Sequence, residues 1–321
     1  MKQKTIGVLT SGGDAPGMNA AVRSVVKTAI SRGFKVIGIR RGYNGLINGE
    51  MSEMNLRSVS DVIQRGGTLL YTARCHEFRY EEGVLKGKES CVNAGIDGIV
   101  VVGGDGSFRG AADLSKAGIP CVGIPCTIDN DISSTEFTIG YDTAMNTAVQ
   151  MIDRIRDTAQ SHDRCSVVEV MGRHAGHIAL NVGIAVGATQ ILVPEISYEF
   201  DDIINKISES QKLGKHHFII LVAEGIGNTD KLSKEIERTT GIETRGTVLG
   251  HVQRGGNPTL RDRVIASEMG NYAVGLLERG IGNRVVALKN NSVVDYDIHE
   301  ALTMTKEIDY NLYNIANELS Y

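Results

Sequence analysis

Two short segments near the middle of the chain carry the residue types that phosphoryl transfer requires. Gly103–Ser107 offers backbone amides without intervening side chains and one carboxylate, which suits phosphates and a magnesium ion. Pro125–Asp131 offers the hydroxyl of Thr127 and the carboxylates of Asp129 and Asp131, which suits the removal of a proton from an alcohol. Together the two segments predict a site that moves a phosphoryl group onto a hydroxyl.

Both segments are expected at the ends of strands, where a sheet can hold a ligand. Gly103–Ser107 follows the apolar run Ile96–Val102, and Pro125–Asp131 follows the apolar run Ile119–Ile124. In open α/β sheets the ligand crevice lies outside the carboxyl ends of the strands. The two chemical segments are therefore predicted at one edge of a sheet.

The N-terminal region has a similar arrangement. Thr5–Thr10 reads as a buried strand, the turn after it contains Gly12 and Gly13, and a helix is predicted from Met18. Further strands are predicted at Phe34–Ile39, Gly98–Val102, Cys121–Ile124, Ser166–Val170, Gln190–Val193, Phe218–Val222 and Val285–Leu288, with a long helix at Thr143–Ser161. Strands that alternate with helices imply parallel βαβ units and thus an α/β fold.

The glycine-rich turns do not match the best-known nucleotide-binding fingerprints. The spacing G-x-G-x-x-G fails at Asp14 in the first turn and at Arg109 in the second, and G-x-x-x-x-G-K-[ST] does not occur. A dinucleotide enzyme and a P-loop NTPase are therefore disfavoured. Tight turns alone would account for the glycines, and a capped turn would account for Asp129–Asp131. Asp105 favours the phosphate site, because a carboxylate beside phosphates is repelled unless a metal ion intervenes.

Length and composition limit the class of protein. At 321 residues the chain is long for one hydrophobic core, so two domains are expected. The formal net charge of −4 gives no global basic field, so nucleic acid is not an expected partner. The five cysteines are odd in number and scattered, which favours a reducing cytoplasm over disulfides or zinc. No signal region or long apolar run occurs, so a cytosolic protein without a membrane partner is expected.

Six motifs along the chain form a specific combination. They are TSGGDAPGMNAA (10–21), IQRGG (63–67), GGDGS (103–107), PCTIDND (125–131), VVEVMGR (167–173) and LGHVQRGG (249–256). In combination they resemble the bacterial 6-phosphofructokinase family, and the resemblance runs from Ile6 to about Ala316. It implies ATP-dependent phosphorylation of fructose 6-phosphate at its 1-hydroxyl, with Mg²⁺ and a homotetramer whose subunits share active sites.

The resemblance also implies a domain organisation. The expected fold is two three-layer α/β domains with largely parallel sheets. Residues 1–139 plus 254–306 would form the larger domain, which binds ATP and magnesium. Residues 140–253 plus 307–321 would form the smaller domain, which binds fructose 6-phosphate.

Individual residues acquire roles through the same resemblance. Asp129 would deprotonate the 1-hydroxyl with Thr127 beside it, Asp105 would bind magnesium, and Arg74 and Arg173 would supply positive charge to the transferred group. The residues implied for the ATP site are Gly13, Arg74, Cys75, Arg79, Gly104, Asp105, Gly106, Ser107 and Gly110. Those implied for fructose 6-phosphate are Thr127, Ile128, Asp129, Met171, Gly172, Arg173, Glu224, His251 and Arg254, with Arg164 and Arg245 reaching in from a neighbouring subunit.

The phosphoryl donor depends on two positions. ATP-dependent members of this superfamily resemble GGDGS with PGTIDND, whereas pyrophosphate-dependent members tend to carry GGDDS with PKTIDND. Gly106 is the ATP-type residue, because an aspartate there would repel and obstruct the α-phosphate. Cys126 is neither glycine nor lysine, and its neutral thiol offers pyrophosphate no positive charge. Because this thiol lies close to the reacting groups, it is expected to be sensitive to oxidation. A pyrophosphate-dependent enzyme and a catalytically silent sugar-phosphate-binding subunit remain the alternatives.

The family's effector pocket is represented only in part. Its basic character is kept by Arg23, Lys27, Arg156, Lys215, His216 and His217. Leu56, Thr189 and Leu213 stand where an arginine, a metal-binding glutamate and a lysine are expected. Because missing charge-assisted contacts weaken anion binding, only a weak response to ADP and phosphoenolpyruvate is predicted.

Overall fold

The structure, a computed structural model, describes residues 3–320. Its strands are β1 (Thr5–Thr10), β2 (Lys35–Ile39), β3 (Met51–Met54), β4 (Gly98–Gly103), β5 (Cys121–Pro125), β6 (Cys165–Val170), β7 (Gln190–Leu192), β8 (Phe218–Ala223), β9 (Thr244–Val248), β10 (Arg284–Lys289) and β11 (Ser292–Asp297). Its α-helices are α1 (Met18–Ser31), α2 (Gly42–Asn48), α3 (Glu81–Asn93), α4 (Asp105–Lys116), α5 (Tyr141–Ser161), α6 (His177–Ala185), α7 (Phe200–Lys212), α8 (Thr229–Thr240), α9 (Leu260–Glu278), α10 (Ile298–Thr303) and α11 (Tyr310–Glu318). Short 3₁₀ helices lie at Leu56–Val59, Glu77–Arg79 and Gly250–Arg254. Among the described residues, no helix has both the length and the apolar character needed to cross a bilayer.

The elements agree closely with those predicted from the sequence. Every predicted strand is present, with bounds that differ by at most one residue at either end, and α1 begins at the predicted Met18. The predicted helix at Thr143–Ser161 starts two residues earlier, at Tyr141. The sequence reading missed β3, β9 and β11, which all lie at edges of sheets. An edge strand carries fewer buried residues, so it lacks the continuous apolar run that reveals a central strand.

The described chain divides into two compact units. Unit 1 contains the residues up to Ile128, then Ile132–Thr143 and Arg254–Lys306. Unit 2 contains Asp129–Asp131, Ala144–Gln253 and the residues from Glu307 onward. Which substrate each domain binds stays a prediction from the sequence.

Unit 1 is built on a seven-stranded sheet in the order β11-β10-β5-β4-β1-β2-β3. The five inner strands are parallel, and β3 and β11 pair antiparallel at the two edges. Thr10 of β1 lies beside Val102 of β4, and Gly103 of β4 lies beside Pro125 of β5. The three segments that follow these strands therefore begin side by side at one edge of the sheet, as the α/β arrangement predicts.

The central strands of unit 1 are covered on both faces. Alternate residues of a strand point to opposite faces. Leu9 and Val101 belong to one buried cluster with Phe108 of α4 and residues of α2, α3 and α10. Val8 and Val100, of opposite parity, are also fully buried, and helices α1 and α9 pack together and contact these strands. The confirmed fold class is α/β, and the two covered faces explain the apolar runs in the sequence.

Unit 2 is built on a parallel sheet in the order β7-β8-β6-β9. Helices α7 and α8 contribute Ile207 and Ile236 to a core that also contains Val167 and Ile220 of the sheet. Val170 of β6 lies beside Ala223 of β8 in the register. The segments that follow β6 and β8 are therefore neighbours at the carboxyl edge of this sheet.

Candidate active site

The second glycine-rich loop of unit 1 presents open backbone at the start of a helix. Gly104 is the N-cap of α4 and Asp105 is its first residue, so the positive end of the helix dipole lies at this loop. A Cβ at Gly104 or Gly106 would meet no atom within 4 Å, whereas one at Gly103 would lie 2.4 Å from the Ser11 carbonyl oxygen. Gly103 is thus required by packing, whereas Gly104 and Gly106 border open space.

One carboxylate stands in this cradle. Asp105 is exposed at the first turn of α4, while Ser107 is buried behind it. No group of three or more His, Cys, Asp or Glu side chains suited to a metal occurs among residues 3–320. A single carboxylate beside a phosphate cradle is what Mg²⁺ requires when substrate phosphates complete its coordination, so the residues fit that ion.

An aromatic pair that the sequence reading missed braces this loop. The rings of Tyr43 and Phe78 stack with 4.2 Å between centroids. The Tyr43 hydroxyl donates a hydrogen bond of 2.5 Å to the Ser107 carbonyl, and burial raises the pKa of Tyr43 well above its usual value. A Cβ at Gly110 would lie 2.8 Å from the Tyr43 ring, so the glycine makes room for it. Phe78 belongs to the 3₁₀ helix Glu77–Arg79.

The predicted ATP residues near this 3₁₀ helix lie toward the surface. Arg74 and Arg79 are exposed, and Cys75 is half-buried. Cys75 packs against the same buried cluster that contains Tyr43 and Phe78. The structure thus places these residues in unit 1, as it does the glycine-rich loops.

The first glycine-rich turn holds an arginine from much later in the chain. Arg254 makes an ion pair of 2.9 Å with the Asp14 carboxylate, and its Nε and Nη2 each donate to the Asp14 carbonyl at 3.2 Å. A Cβ at Gly13 would lie 2.1 Å from Arg254 Nη2. Gly13 and Arg254, which the sequence reading assigned to different substrates, are therefore in contact within unit 1.

Unit 2 contains an ion pair between a buried carboxylate and an exposed guanidinium. The side chain of Asp129 is only 6% exposed, and its Oδ2 lies 3.2 Å from Nε of Arg173, whose side chain is 62% exposed. Arg173 has φ of 54° and Asn130 has φ of 52°, both in the left-handed region. A residue with a side chain keeps this conformation only where the surrounding structure holds it. The ion pair joins two of the residues that the sequence reading named as catalytic.

Two further side chains hold the segment that carries Arg173. Glu224 follows β8, and its Oε2 accepts hydrogen bonds from the amides of Gly172 at 3.2 Å and Arg173 at 2.9 Å. Gln253 accepts a hydrogen bond of 2.9 Å from the Met171 amide. The sequence predicts Glu224 as a sugar ligand but does not single out Gln253. Gln253 lies inside a matching motif, and only the structure shows that this polar side chain has no exposed surface.

A second charged group in unit 2 links Arg164 and Arg245. Their guanidiniums lie 2.8 Å and 2.5 Å from the two carboxylate oxygens of Glu243. The parallel pairing of β6 and β9, with Ser166 beside Arg245, brings the two arginines to the same place. The bond from Arg164 is the main cause that lowers the pKa of Glu243, and Arg245 adds to it. Glu243 was not identified from the sequence.

The comparisons with known proteins agree on one family. The sequence profile described as phosphofructokinase matches residues 5–277. The chain belongs to the phosphofructokinase family. It is 56% identical over 317 residues to the ATP-dependent 6-phosphofructokinase of Clostridium botulinum, covering 99% of each chain. It is 54% identical over 318 residues to that of Clostridium tetani, covering 99% of this chain and 100% of the relative.

Solved structures of phosphofructokinases share the fold. The phosphofructokinase of Saccharomyces cerevisiae matches with a TM-score of 0.88 and 35% identity, covering 99% of this chain and 48% of the yeast chain, so the present chain spans about half of it. The pyrophosphate-dependent phosphofructokinase of Marinobacter aquaeolei matches with a TM-score of 0.85 and 21% identity, covering 96% of this chain and 86% of that one. At this identity the second likeness concerns the fold alone.

The segment after β5 contains a buried thiol. Cys126 is 1% exposed, and burial, aided by the nearby carboxylates of Asp262 and Asp14, raises its pKa well above the usual value. A thiol that stays protonated and is shielded from solvent is inert. The expected sensitivity of Cys126 to oxidation is therefore wrong, because the sequence could not show that the side chain points into the core.

The rest of this segment and the nearby 3₁₀ helix hold the remaining predicted substrate residues. Ile128 is 3% exposed, so it contributes packing, and Thr127 is half-buried. The Thr127 carbonyl accepts a 2.7 Å hydrogen bond from the Thr138 hydroxyl, which ties the segment to the chain after it. His251 is exposed on the 3₁₀ helix Gly250–Arg254.

The predicted effector residues fall into two groups. Arg23 and Lys27 lie on α1 in unit 1. Arg156, Lys215 and His217 form a cationic cluster in unit 2, where burial and then the Arg156 charge lower the pKa of Lys215 and His217. The exposed His216 also contributes to that cluster. The departures from the family pattern differ in exposure: Leu56 is 51% exposed and Leu213 is 74% exposed, but Thr189 is 1% exposed.

Proposed function

We propose that this chain transfers the terminal phosphoryl group of ATP to the 1-hydroxyl of fructose 6-phosphate, giving fructose 1,6-bisphosphate. The observation that carries the proposal is the buried Asp129 carboxylate paired at 3.2 Å with the exposed Arg173 guanidinium. A carboxylate so placed can take a proton from a hydroxyl, and a guanidinium can stabilise charge on a transferring phosphoryl group. The names of the relatives that are 54–56% identical over their full length support the same reaction.

In this mechanism Asp129 removes the proton of the 1-hydroxyl as the oxygen attacks the phosphoryl group. Arg173 and Arg74 supply positive charge to the equatorial oxygens of that group. Phosphoryl transfer depends on in-line positioning and on neutralising charge more than on covalent chemistry. Glu224, Met171 and the amides of Gly172 and Arg173 position the sugar and the arginine.

The open cradle at Gly104–Ser107 binds the phosphates of ATP through backbone amides. Gly13, Cys75, Arg79 and Gly110 complete the nucleotide site. Asp105 would hold Mg²⁺, which when bound would neutralise charge on the phosphates. Two observations support this site for Mg²⁺ and phosphates. The Asp105 carboxylate is exposed at the start of α4, and the space beside Gly104 and Gly106 is open.

ATP is the proposed donor, and pyrophosphate is the alternative. Gly106 leaves the space and the neutral charge that an α-phosphate needs, and a lysine is absent at Cys126. The relatives named as ATP-dependent are more than twice as similar in sequence as the pyrophosphate-dependent enzyme of known structure. A silent subunit is disfavoured because Asp105, Asp129 and Arg173 are all present.

The proposal includes a homotetramer in the cytoplasm. His251 and Arg254 bind the 6-phosphate, and Arg164 and Arg245 reach the corresponding site of a neighbouring subunit. The side chain of Arg245 is 68% exposed, which supports this role, whereas that of Arg164 is 28% exposed and paired with Glu243. Light scattering that gave the mass of a monomer under assay conditions would contradict this part.

Regulation is proposed to be weak. The cluster of Arg156, Lys215 and His217 can attract an anionic effector, but the exposed Leu213 and Leu56 provide no charge, and Thr189 is buried. Activation by ADP and inhibition by phosphoenolpyruvate are therefore expected to be small. Strong inhibition by micromolar phosphoenolpyruvate would contradict this.

The decisive experiment measures fructose 1,6-bisphosphate formed from fructose 6-phosphate and Mg²⁺, with ATP and pyrophosphate in parallel. Product with ATP alone is expected. Product with pyrophosphate alone would mean that the argument from Gly106 is wrong. No product with either donor would favour the silent subunit.

A further inference from the structure

Three consecutive amides of unit 2 donate to two side chains from other parts of the chain. The Met171 amide donates to Oε1 of Gln253 at 2.9 Å. The Gly172 and Arg173 amides donate to Oε2 of Glu224 at 3.2 Å and 2.9 Å. We call Met171–Arg173 the amide strip. Its backbone donors are thus satisfied by side chains and not by the sheet ladder that ends at Val170.

The backbone conformation of the amide strip is unfavourable without contacts from other parts of the chain. Gly172 has φ of 145° and Arg173 has φ of 54°, and the second value is unfavourable for a residue with a side chain. A Cβ at Gly172 would lie 2.6 Å from the Ala175 carbonyl oxygen. This turn directs the Arg173 guanidinium to the Asp129 carboxylate at 3.2 Å. Whatever fixes the strip therefore fixes the arginine.

Gln253 has properties that packing alone does not explain. It has no exposed surface, and its Nε2 has no hydrogen-bond partner among the described residues. The orientation of its amide is determined by chemistry, because the Met171 N–H is a donor and must face the oxygen. A methionine would fill the same length without burying an unpaired donor. The feature that a glutamine adds is the bond to Met171.

We propose that Gln253 is a positioning residue for phosphoryl transfer, which acts by fixing the amide strip so that Arg173 stays against Asp129. This inference rests on the proposed function, in which Arg173 stabilises the transferred group. Glu224 holds the strip at two amides, and Gln253 holds the remaining one from the 3₁₀ helix Gly250–Arg254. With the bond to Met171 lost, the strip is held at one end only.

The test compares Gln253→Met, which removes the acceptor, with Gln253→Glu, which keeps an oxygen acceptor. Gln253→Met is expected to lower kcat roughly 10- to 100-fold, the usual cost of misplacing a catalytic group by about 1 Å, with the KM for ATP unchanged. Gln253→Glu is expected to keep most of the wild-type kcat. Gln190→Met is the matched control, since Gln190 is a glutamine of unit 2 that is 5% exposed and lies outside the site.

A double-mutant cycle with Arg173→Ala separates positioning from general support of the fold. If Gln253 acts through Arg173, adding Gln253→Met to Arg173→Ala lowers kcat no further than Arg173→Ala does. The proposal would be overturned if the two reductions in kcat multiplied in the double variant. It would also be overturned if Gln253→Met had the same kcat as Gln190→Met. An Arg173→Ala enzyme with normal kcat would instead mean that the role given to Arg173 in the proposed function is wrong.

Circular dichroism and thermal unfolding check that each variant is folded. If Gln253→Met does not fold, Gln253→Asn replaces it in the same cycle, because the shorter amide stays polar but withdraws its oxygen from Met171. The expected and contradicting outcomes are unchanged.

Discussion

At the scale of single residues, the ion pair of Asp129 and Arg173 combines burial with access. The carboxylate is almost fully buried, which limits its motion, while the guanidinium is mostly exposed and can reach a ligand. Asn130 adopts a left-handed conformation directly after Asp129 and so sets the direction of the loop. The chemistry therefore depends on a few backbone dihedrals as much as on the side chains.

Replacing Asp129 tests its role as the general base. Asp129→Ser is expected to keep the fold but to lower kcat by roughly 10²- to 10⁴-fold, the usual contribution of a general base. Steady-state rates with fructose 6-phosphate and ATP measure this effect. Asp230→Ser, at a carboxylate whose side chain is 90% exposed on α8, is the control and should leave kcat unchanged. Near-normal turnover in Asp129→Ser would show that another group takes the proton.

The thiols of the native protein differ in reactivity. Cys91, Cys121, Cys126 and Cys165 are buried and Cys75 is half-buried. Burial raises the pKa of Cys91, Cys121 and Cys165 to about 12, so these thiols stay protonated at neutral pH. Cys75 is therefore expected to react first with a thiol reagent such as iodoacetamide.

Peptide mass mapping after brief labelling of the folded protein checks this expectation. Cys75→Ser should remove the fast-reacting thiol, and labelling in urea should reveal the other four. Rapid modification of Cys126 in the native protein would contradict the burial argument.

At the scale of elements, the carboxyl ends of β1, β4 and β5 bring distant segments together. Parallel pairing in register places the two glycine-rich turns beside each other. Arg254 of the 3₁₀ helix Gly250–Arg254 contacts the first of them at Asp14. Gly13 provides the gap that the Arg254 guanidinium occupies. A turn that looks like a simple phosphate loop in sequence is therefore also a contact between elements.

Gly13→Ala tests this contact. The new Cβ would lie 2.1 Å from Arg254 Nη2, so the guanidinium must move away from Asp14. Because the clashing atom ends a flexible side chain, the expected loss is that of the partly exposed ion pair with Asp14, about 1 kcal/mol in the free energy of unfolding, measured by urea denaturation. Gly104→Ala is the matched control for stability, because a Cβ there meets nothing within 4 Å. Equal stability of the two variants would mean that Arg254 adapts without cost.

At the scale of the whole molecule, a buried carboxylate joins segments of unit 1 that are far apart in sequence. Asp262 has no exposed surface and accepts hydrogen bonds from the Gly140 amide at 2.8 Å and the Thr143 amide at 2.9 Å. The Thr143 hydroxyl donates a 2.5 Å bond to Asp262 and accepts a 3.0 Å bond from the Thr259 amide. Asp262 thus ties the start of α5 to the start of α9.

This carboxylate should make stability depend on pH. Burial raises the pKa of Asp262 from 3.8 to about 6, partly offset by the bonds from Thr143 and Gly140. The folded state therefore binds the proton more tightly than the unfolded state. The contribution of Asp262 to stability is expected to fall as pH rises from about 4 to 6, by roughly 3 kcal/mol for a shift of this size, and to stay constant above that.

The measurement compares wild type with Asp262→Asn by urea unfolding at several pH values, so that other carboxylates cancel in the difference. The stability of wild type relative to the variant should fall between pH 4 and 6. Asp230→Asn, at an exposed carboxylate, should show no such trend. A difference that stays flat with pH would mean that Asp262 has an ordinary pKa in the folded protein.

The sequence by itself determined the central strands, the α/β class and the chemistry of the two motifs. Buried parallel strands are continuous apolar runs, and ligand-binding segments of α/β sheets follow the carboxyl ends of their strands. The sequence did not predict the edge strands β3, β9 and β11, because their residues are only partly buried. Their pairing depends on a neighbour that local sequence does not show.

Only the tertiary structure decided which residues act together. The bond between Gln253 and Met171 and the pairing of Glu243 with Arg164 join residues far apart in sequence. The burial of Cys126 likewise depends on the elements that pack around it. Residue type and spacing carry no information on such partners, because hydrogen bonding and desolvation depend on distances that exist only after the sheets have formed.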